Sequence, residues 1–278
     1  MKKIFLLLPS SLLEDCSDLD AKTIKIGFIA RAAAIFKVSE IIIYSTGETG
    51  AKSNGKFLKL IFDYIDCPQY LRKHLFPLSD ELKSVGRLPP LEAPHHVRFV
   101  KSSEIRSGSI RQGVVVRVSE GKSYVYAGLD ELVPVYDNHL RLNDKINLKI
   151  LVNSKGLHGV VVDKIDGYWG YKTLFFNKPL VKLLEKRPAE VVVATSKYGE
   201  NISSLLDVFE TNFKNKNSIA LVFGSPKRGL FQIIDDERLM KELFDYIVNF
   251  IPAQGTRTVR TEEAIYSTLS IINALLLK

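Results

Sequence analysis

Residues 246–276 combine an apolar segment, a polar loop and a second apolar segment, and this order constrains the fold more than any other feature. Residues 246–251 read YIVNFI, a short, partly β-branched run that is typical of a buried strand. In the loop that follows, Pro252 stiffens the backbone and Gly255 permits unusual dihedral angles, while Gln254 and Thr256 offer hydrogen-bonding groups. Such a loop can hold a ligand, although an ordinary connection into a helix has a similar composition.

The segment after this loop is predicted to be an amphipathic helix. Thr261 suits the N-cap, and Glu262 and Glu263 place negative charge in the first turn, where the helix dipole favours it. Apolar residues then recur at helical spacing from position 265 to position 276. Ligands of α/β proteins bind where a strand, a loop and a helix follow one another in this way.

The chain of 278 residues is long enough for two domains, and its charge is moderately basic. Lys and Arg total 39 against 31 Asp and Glu, which gives a net charge of +8. Because no segment is a basic tail, a nucleic-acid surface would have to come from dispersed charges that folding brings onto one face. A basic protein that binds no polyanion is the alternative.

Two cysteines, Cys16 and Cys67, exclude a disulfide framework and a zinc knuckle, and they fit a reducing cytoplasm. The apolar run at residues 4–8 ends at Pro9, so it is too short for a signal peptide and predicts a first buried strand. No run approaches the length of a transmembrane helix.

Residues 18–38 predict a helix rich in small and apolar residues, with Arg31 inside its most apolar part. A guanidinium in such a place needs a partner or a site, because burying an unpaired charge is costly. A surface position and an ion pair with a carboxylate are the alternatives.

A near match to a phosphate-binding loop follows a predicted strand at residues 41–44. Residues 50–57 read GAKSNGKF, but Phe57 stands where the motif requires a hydroxyl for magnesium. No other clear strand of the α/β region supplies the acidic residue that a nucleoside triphosphatase needs. We therefore predict a flexible turn before a helix at residues 57–65.

A small barrel is predicted between two α/β segments. Pro89, Pro90 and Pro94 mark a break, after which apolar residues alternate with a period of two. The predicted strands lie at residues 112–119, 123–127, 145–152 and 157–164, with turns at residues 120–121 and 154–156. They indicate a barrel of the oligonucleotide-binding type at residues 93–166, inserted in an α/β domain of residues 1–92 and 167–278.

Two tyrosines of this insert, Tyr124 and Tyr126, share one face of their strand, near Arg117. They either stack on nucleic-acid bases or pack inside the barrel.

Two further buried-type strands, at residues 191–195 and 218–223, each end in a loop of small and polar residues. The loops read SKYGEN at residues 196–201 and GSPKRGL at residues 224–230. With the loop at residues 252–260, three strand ends present small, polar turns, and this recurrence favours a ligand site.

Six motifs run along most of the chain: TIKIGFIARAAAIFKVSEI at residues 23–41, PQYLRKHLFP at 68–77, APHHVR at 93–98, GYWGY at 167–171, FGSPKRGL from 223, and IPAQGTRTVRTEEA from 251. In sequence and in order they resemble the SPOUT class of RNA methyltransferases, in the branch with an inserted barrel domain. The resemblance implies an α/β fold with a parallel sheet flanked by helices, whose C-terminal part threads a loop into a trefoil knot.

The resemblance also implies that S-adenosyl-L-methionine binds in the knot, between the three loops. The residues that match this pocket are Thr195, Gly224, Ser225, Asn249, Ile251, Gln254 and Thr256. It implies a homodimer through the knotted domain and places Arg31 near the methyl-transfer site, with Arg260 and Glu262 as further catalytic candidates. RNA contacts are expected at His95, His96, Arg98, Arg117, Tyr124 and Tyr126. No metal is expected, because His95 and His96 lack a third ligand.

Transfer of a methyl group from a sulfonium asks mainly for alignment and for loss of a proton from the nucleophile. A uridine-type ring nitrogen is acidic enough for a guanidinium such as Arg31 to favour its anion, whereas a ribose hydroxyl needs a stronger base. Glu262 could be that base or could simply stabilise the helix N-terminus.

We therefore expect a cytoplasmic enzyme that methylates RNA, ribosomal RNA in particular, on a base rather than on ribose. A non-catalytic RNA-binding or ribosome-assembly factor with the same fold is the alternative. A triphosphatase ranks third.

Overall fold

The computed structural model describes residues 2–119, 121–137, 139–154 and 156–276, and the chain divides into two compact units. The first unit comprises Met1–Asp63, Glu81–Pro90 and Gly170–Lys278, and the second comprises Tyr64–Asp80 and Leu91–Trp169. The sequence analysis assigned residues 64–80 to the α/β domain, whereas the structure groups them with the barrel.

Strands and helices are numbered in chain order through both units. The strands are β1 (Lys3–Pro9), β2 (Glu40–Ser45), β3 (Ser109–Ser119), β4 (Lys122–Tyr126), β5 (Val133–Val135), β6 (Lys145–Asn153), β7 (Gly156–Val161), β8 (Lys172–Pro179), β9 (Val191–Asn201), β10 (Ser218–Val222) and β11 (Tyr246–Asn249). The helices are α1 (Leu19–Ile35), α2 (Ala51–Asp66), α3 (Gln69–Leu75), α4 (Leu180–Leu184), α5 (Ile202–Lys214), α6 (Leu230–Ile234), α7 (Glu237–Leu243) and α8 (Thr261–Leu276).

A sheet of six parallel strands forms the first unit, in the order β11-β9-β10-β1-β2-β8. β1 lies between β10 and β2, and six of its seven residues, from position 4 to position 9, are buried. Parallel strands are joined by crossover helices that cover the faces of the sheet, so a central strand is apolar throughout. The predicted α/β class with a parallel sheet is thus confirmed.

The first helix of this unit, α1, begins where its sequence predicts. The Asp18 carboxylate accepts a hydrogen bond from the backbone N–H of Ala21 at 2.8 Å, and this cap satisfies a donor of the first turn. Ile26, Ile29 and Ala30 are buried on the inner face of the helix, which packs against α8.

Two elements of this unit differ from their predictions. α2 begins at Ala51, so the predicted flexible turn over residues 50–57 is wrong. Gly55 lies inside this helix, and the position requires glycine because a Cβ there would overlap the ring of Phe175 in β8. β8 was not predicted, and residues 196–201, which were predicted to form a loop, belong to β9, which continues to Asn201.

The second unit contains a closed barrel of five strands, in the order β3-β4-β5-β7-β6. Neighbouring strands are antiparallel except β5 and β7, which run parallel. Its interior is aliphatic and contains Val115, Val125, Val133, Val135, Leu148 and Ile150. The predicted barrel is confirmed, and its oligonucleotide-binding type stays a prediction.

The two tyrosines of β4 lie outside the barrel. Ser123 and Val125 are buried, whereas Tyr124 and Tyr126 are half-buried, as expected when alternate residues of a strand face opposite sides. Packing inside the barrel is therefore the wrong alternative for both rings. The predicted turns at residues 120–121 and 154–156 include Glu120 and Lys155, which lie outside the described residues.

Candidate functional site

A cavity of about 500 Å³ lies at the carboxyl ends of β9, β10 and β11, where the three predicted loops meet. Six of the seven residues predicted to bind a cofactor line it: Thr195, Gly224, Ser225, Asn249, Ile251 and Gln254. Thr256 does not line it, but its carbonyl oxygen accepts a hydrogen bond from Gln254 Nε2 at 2.8 Å. The structure therefore brings together residues that are far apart in the sequence.

The first wall comes from β9 and its neighbour β11. Their pairing shifts register after Ile247, so Val248 lies opposite Glu200 rather than opposite Thr195. Gly199 approaches the backbone of Ile247 so closely that a Cβ would lie 2.5 Å from its carbonyl oxygen. The Asn249 side chain donates a hydrogen bond to Lys197 O at 3.2 Å and fixes the end of this wall.

The second wall is the loop after β10, which is tightly folded on itself. A Cβ on Gly224 would lie 2.9 Å from Arg228 O, so only glycine fits there. The backbone N–H of Ser225 donates to Arg228 O at 2.8 Å, and the N–H of Arg228 donates to Ser225 Oγ at 3.0 Å. These bonds hold the loop without help from a ligand.

Glu14, which follows β1, anchors the same loop and was missed by the sequence analysis. Its Oε1 accepts hydrogen bonds from Ser225 Oγ at 2.6 Å and from the N–H of Lys227 at 2.9 Å. A carboxylate shortly after a predicted buried strand was the available signal.

The third wall is the loop between β11 and α8. Ala253 has a positive φ of 55°, a left-handed conformation that is uncommon for alanine. α8 begins at Thr261, so the N-cap is Arg260 and not Thr261 as predicted. The Glu263 carboxylate accepts a hydrogen bond from the N–H of Arg260 at 2.9 Å. The Arg260 side chain is exposed and does not line the cavity.

The lining mixes hydroxyl, amide, backbone and charged groups. Lys197, Lys227 and Arg257 supply positive charge, and Phe223, Phe231 and Phe250 supply apolar surface. The sequence analysis did not single out these six residues as ligand contacts. Such a lining suits a ligand that carries both a heterocycle and a carboxylate.

Arg31 is exposed, and the expectation of a charge buried in an apolar helix is wrong for this residue. It lies on the outer face of α1, in one stripe with the exposed side chains of Ile24, Phe28 and Ile35. Burial raises the pKa of the neighbouring Tyr266, and the Arg31 charge opposes that rise. The stripe is apolar surface with a single guanidinium inside it.

Lys25 is the buried cation of α1, with only 4% of its side chain exposed. Its ammonium group lies 2.7 Å from Asp15 Oδ1 and 3.3 Å from Glu262 Oε2. Glu262 Oε2 is itself buried and makes no directional hydrogen bond to any residue that the structure describes, so its contact with Lys25 is an ion pair only. A carboxylate held in this way is poorly placed to take a proton from a substrate, which argues against Glu262 as the general base.

His95 and His96 form a structural pair in the second unit. His95 is buried, so the prediction that its side chain contacts RNA is wrong. Both rings approach the carbonyl oxygen of Asp66, at 2.6 Å for His95 Nε2 and 3.0 Å for His96 Nε2. Burial, and then the neighbouring His95, lower the pKa of His96 to about 4, so this ring is neutral at pH 7.

The remaining predicted RNA residues lie at the surface of the second unit. Arg98 and Arg117 are exposed, and the Arg117 guanidinium lies 3.9 Å from the ring centroid of Tyr124. Tyr126 instead packs against His74 of α3 at 4.7 Å between ring centroids. Arg117 and Tyr124 therefore form one cation-aromatic pair, which Tyr126 does not join.

Within the described ranges, no group of three or more His, Cys, Asp or Glu residues could hold a metal ion. Among the described helices, none is long and apolar enough to cross a membrane.

A family of proteins described as "Putative RNA methyltransferase" matches residues 3–272 of this chain. A Drosophila melanogaster relative named 28S rRNA (uridine-N(3))-methyltransferase is 32% identical over 95% of this chain and 60% of its own length. A Homo sapiens relative of the same name is 32% identical over 95% of this chain and 76% of its own length. An uncharacterized protein of Halobacterium salinarum is 30% identical over 95% of this chain and 96% of its own length. The chain thus spans nearly all of the archaeal relative but only 60% of the fruit-fly one.

Proposed function

The chain belongs to this family of RNA methyltransferases, and on that premise we propose that it transfers a methyl group from S-adenosyl-L-methionine to N3 of a uridine in ribosomal RNA. The two animal relatives are named for this reaction, which supports the choice of a base nitrogen over ribose.

The convergence of three strand-end loops on one cavity carries this proposal. Gly224 allows close approach to the backbone of the second loop, and Thr195, Asn249 and Gln254 offer hydrogen-bonding groups. The positive charges of Lys197, Lys227 and Arg257 suit the carboxylate of the cofactor. The residues present therefore fit S-adenosyl-L-methionine. The trefoil knot around it stays a prediction from the family resemblance.

The cofactor would supply a methyl group that its sulfonium already activates. The protein must then orient the uridine and favour loss of its N3 proton. Arg31 suits this task because a positively charged guanidinium can stabilise a neighbouring anion. Glu262 is assigned no proton transfer, since its carboxylate is paired with Lys25.

The proposal includes a homodimer that forms through the outer face of α1. The family resemblance implies a homodimer through the knotted domain without naming a surface, and Ile265, Leu269 and Ile272 of α8 are buried within the unit. The exposed apolar stripe lies on α1 instead, with 56% of Phe28 accessible. A partner on this stripe would surround Arg31 and exclude water from it, which strengthens its interaction with an anion.

RNA binding is assigned to the outer surface of the barrel. The Arg117–Tyr124 pair offers an aromatic face and a positive charge at one exposed place, and both groups suit a nucleic-acid strand. Cys16 and Cys67 are thiols and not members of a disulfide, which supports a cytoplasmic location.

Calorimetry and mass spectrometry test the proposal together. We expect the protein to bind S-adenosyl-L-methionine equally with and without a chelator, and to add one methyl group to N3 of a uridine in ribosomal RNA from cells that lack it. Gly224→Ala should abolish cofactor binding, because its Cβ would force the second loop open. Gly86→Ala is the control, since a Cβ at Gly86 meets nothing within 4 Å.

Two results would contradict the proposal. If the wild type did not bind S-adenosyl-L-methionine, the proposed methyltransferase activity would be excluded. Cofactor binding without methylation would favour the non-catalytic assembly factor.

A further inference from the structure

A second cavity, of about 470 Å³, lies in the first unit beside the loop that follows β1. Its walls come from this loop, from the first turns of α1 and α2, and from one residue of the segment Glu81–Pro90. Its polar and aromatic lining includes Glu14, Lys22, Ser53, Asn54, Phe57 and Glu81. None of them has a role in the proposed reaction beyond the anchoring of a loop by Glu14.

The position of this cavity in the sheet is one where ligands bind. β1 and β10 are neighbours, but the sheet continues from β1 to β2 on one side and from β10 to β9 on the other. The chain therefore leaves the two strands toward opposite sides of the sheet, and in open α/β sheets ligands bind at the carboxyl ends of strands at such a point. The first cavity is lined by the loop after β10 and the second by the loop after β1, and the Glu14 hydrogen bonds join the two loops.

Glu14 links the two cavities through one carboxylate. Its Oε1 accepts the hydrogen bonds of Ser225 and Lys227, which line the first cavity. Its Oε2 has no hydrogen-bond partner in the part of the chain that the structure describes. A ligand in the second cavity can thus donate a hydrogen bond to the group that holds the cofactor loop.

The chemistry of the lining indicates what the ligand is. Phe57 is half-buried and offers an aromatic ring, and the exposed Asn54 offers an amide that both donates and accepts. Glu14 and Glu81 outnumber the single cation, Lys22, so a polyphosphate would be repelled. An uncharged heteroaromatic ring with N–H and C=O groups on its edge fits all of these residues.

The near match to a phosphate-binding loop forms part of the wall of the second cavity. Its residues Ser53, Asn54 and Phe57 lie in the first two turns of α2 and face the second cavity. Phe57, which departs from the phosphate-binding motif, supplies the ring on which a base can stack.

We infer that the second cavity takes an unpaired base of the substrate RNA, stacked on Phe57 and hydrogen-bonded to Asn54 and Glu14. This inference rests on the proposed function, because the base belongs to the strand that carries the target uridine. It assigns substrate recognition to the α/β unit as well as to the barrel.

Kinetics of two variants test the inference. Asn54→Ala and Phe57→Leu should each raise the KM for ribosomal RNA by roughly tenfold, as expected when one stacking or hydrogen-bonding contact with a base is lost. The kcat and the affinity for S-adenosyl-L-methionine should stay near the wild-type values. Ser203→Ala, an exposed change on α5, is the control. Because Asn54 is exposed, Asn54→Ala keeps the test valid even if Phe57→Leu lowers the melting temperature.

A binding measurement on the wild type separates this inference from the proposed function. Uridine, an uncharged nucleoside, is added with S-adenosylhomocysteine in excess, so that the first cavity is filled, and hydrogen exchange is followed by mass spectrometry. We expect slower exchange in residues 51–57.

Each outcome then decides one claim. A wild type that methylates RNA while both variants keep the wild-type KM would overturn the base pocket and leave the proposed function intact. If the wild type does not methylate RNA, the proposed function fails. Slower exchange in residues 51–57 would then still support the pocket, and unchanged exchange there would overturn it.

Discussion

Two cations on the same helix have opposite environments. Lys25 of α1 is buried and paired with Asp15 and Glu262, whereas Arg31, six positions later, is exposed in an apolar stripe. The surrounding sequence suggests the reverse, because Arg31 is flanked by alanines, whereas the polar residues Lys22 and Thr23 lie three and two positions before Lys25. The comparison shows that the face of a helix, and not the composition of a window, determines which charge is buried.

The two environments also imply different roles. A buried ammonium with two carboxylate partners holds together α1, the loop after β1 and the first turn of α8. An exposed guanidinium contributes little to stability and is free to meet a substrate or a second protomer. We therefore expect changes at Lys25 to affect folding and changes at Arg31 to affect methyl transfer.

The largest effect is expected for Arg31→Ala, measured as a single-turnover rate at saturating cofactor and RNA. The rate should fall roughly a hundred- to a thousandfold, the usual cost of removing one group that stabilises transition-state charge. Cofactor and RNA affinities and the melting temperature should change little, because Arg31 is exposed within the protomer and does not line the cofactor cavity. A near-normal rate from the folded variant would end the catalytic role of Arg31.

Lys25→Met should lower the free energy of unfolding by about 3 kcal/mol, because it leaves two carboxylates without their shared cation. This value is at the low end for a buried ion pair, since Asp15 is partly exposed to water. Arg31→Met is the matched control and should change stability by less than about 0.5 kcal/mol. Urea denaturation measures the free energy of unfolding. An equal decrease in the two variants would show that Lys25 and Arg31 contribute equally to stability despite their different burial.

Phe28→Asp should weaken the homodimer by roughly thirtyfold, since an aromatic residue at the centre of an interface contributes about 2 kcal/mol. Sedimentation over a range of protein concentrations measures the dissociation constant. Phe99→Asp, at a similarly exposed phenylalanine of the second unit, serves as the control. A dimer that tolerates Phe28→Asp as well as Phe99→Asp must form through another surface.

The smallest effect is expected for Glu262→Gln. Its methylation rate should fall less than about tenfold, whereas loss of a general base typically costs roughly 10²–10⁴-fold. Lys25 keeps Asp15 as its partner, so the free energy of unfolding should fall by only about 1 kcal/mol. A pH–rate profile of the variant is the decisive measurement. Loss of its acidic limb together with a hundredfold lower rate would restore Glu262 as the base.

Residues that act through backbone geometry were predictable from the sequence. Gly224 belongs to a small, polar loop that ends an apolar strand, and the order of parallel strands brings such ends to one edge of the sheet. Residues whose role depends on side-chain direction were not predictable. His95 and His96 were predicted to contact RNA, but both rings lie against the carbonyl oxygen of Asp66 at the end of α2.

The missed strands have equally local causes. β5 is only three residues long and contains a proline, so no alternation can be seen in it. β8 lies at the edge of its sheet and carries polar residues in four of its eight positions, which hides its apolar period. The extension of β9 through Gly199 depends on pairing with β11, some fifty residues later in the chain, and no local pattern encodes such a contact.

The order of strands also determines the sequence of events as the chain leaves the ribosome. All five barrel strands lie between residues 109 and 161, so the barrel can close early in synthesis. β1 emerges first, yet its partner β10 comes only at residues 218–222. Until then one edge of an almost wholly apolar strand lacks its neighbour, and such an edge can pair with other nascent chains. We expect ribosome-bound chains that end before residue 218 to recruit chaperones, and chains that extend beyond residue 222 and out of the exit tunnel to release them.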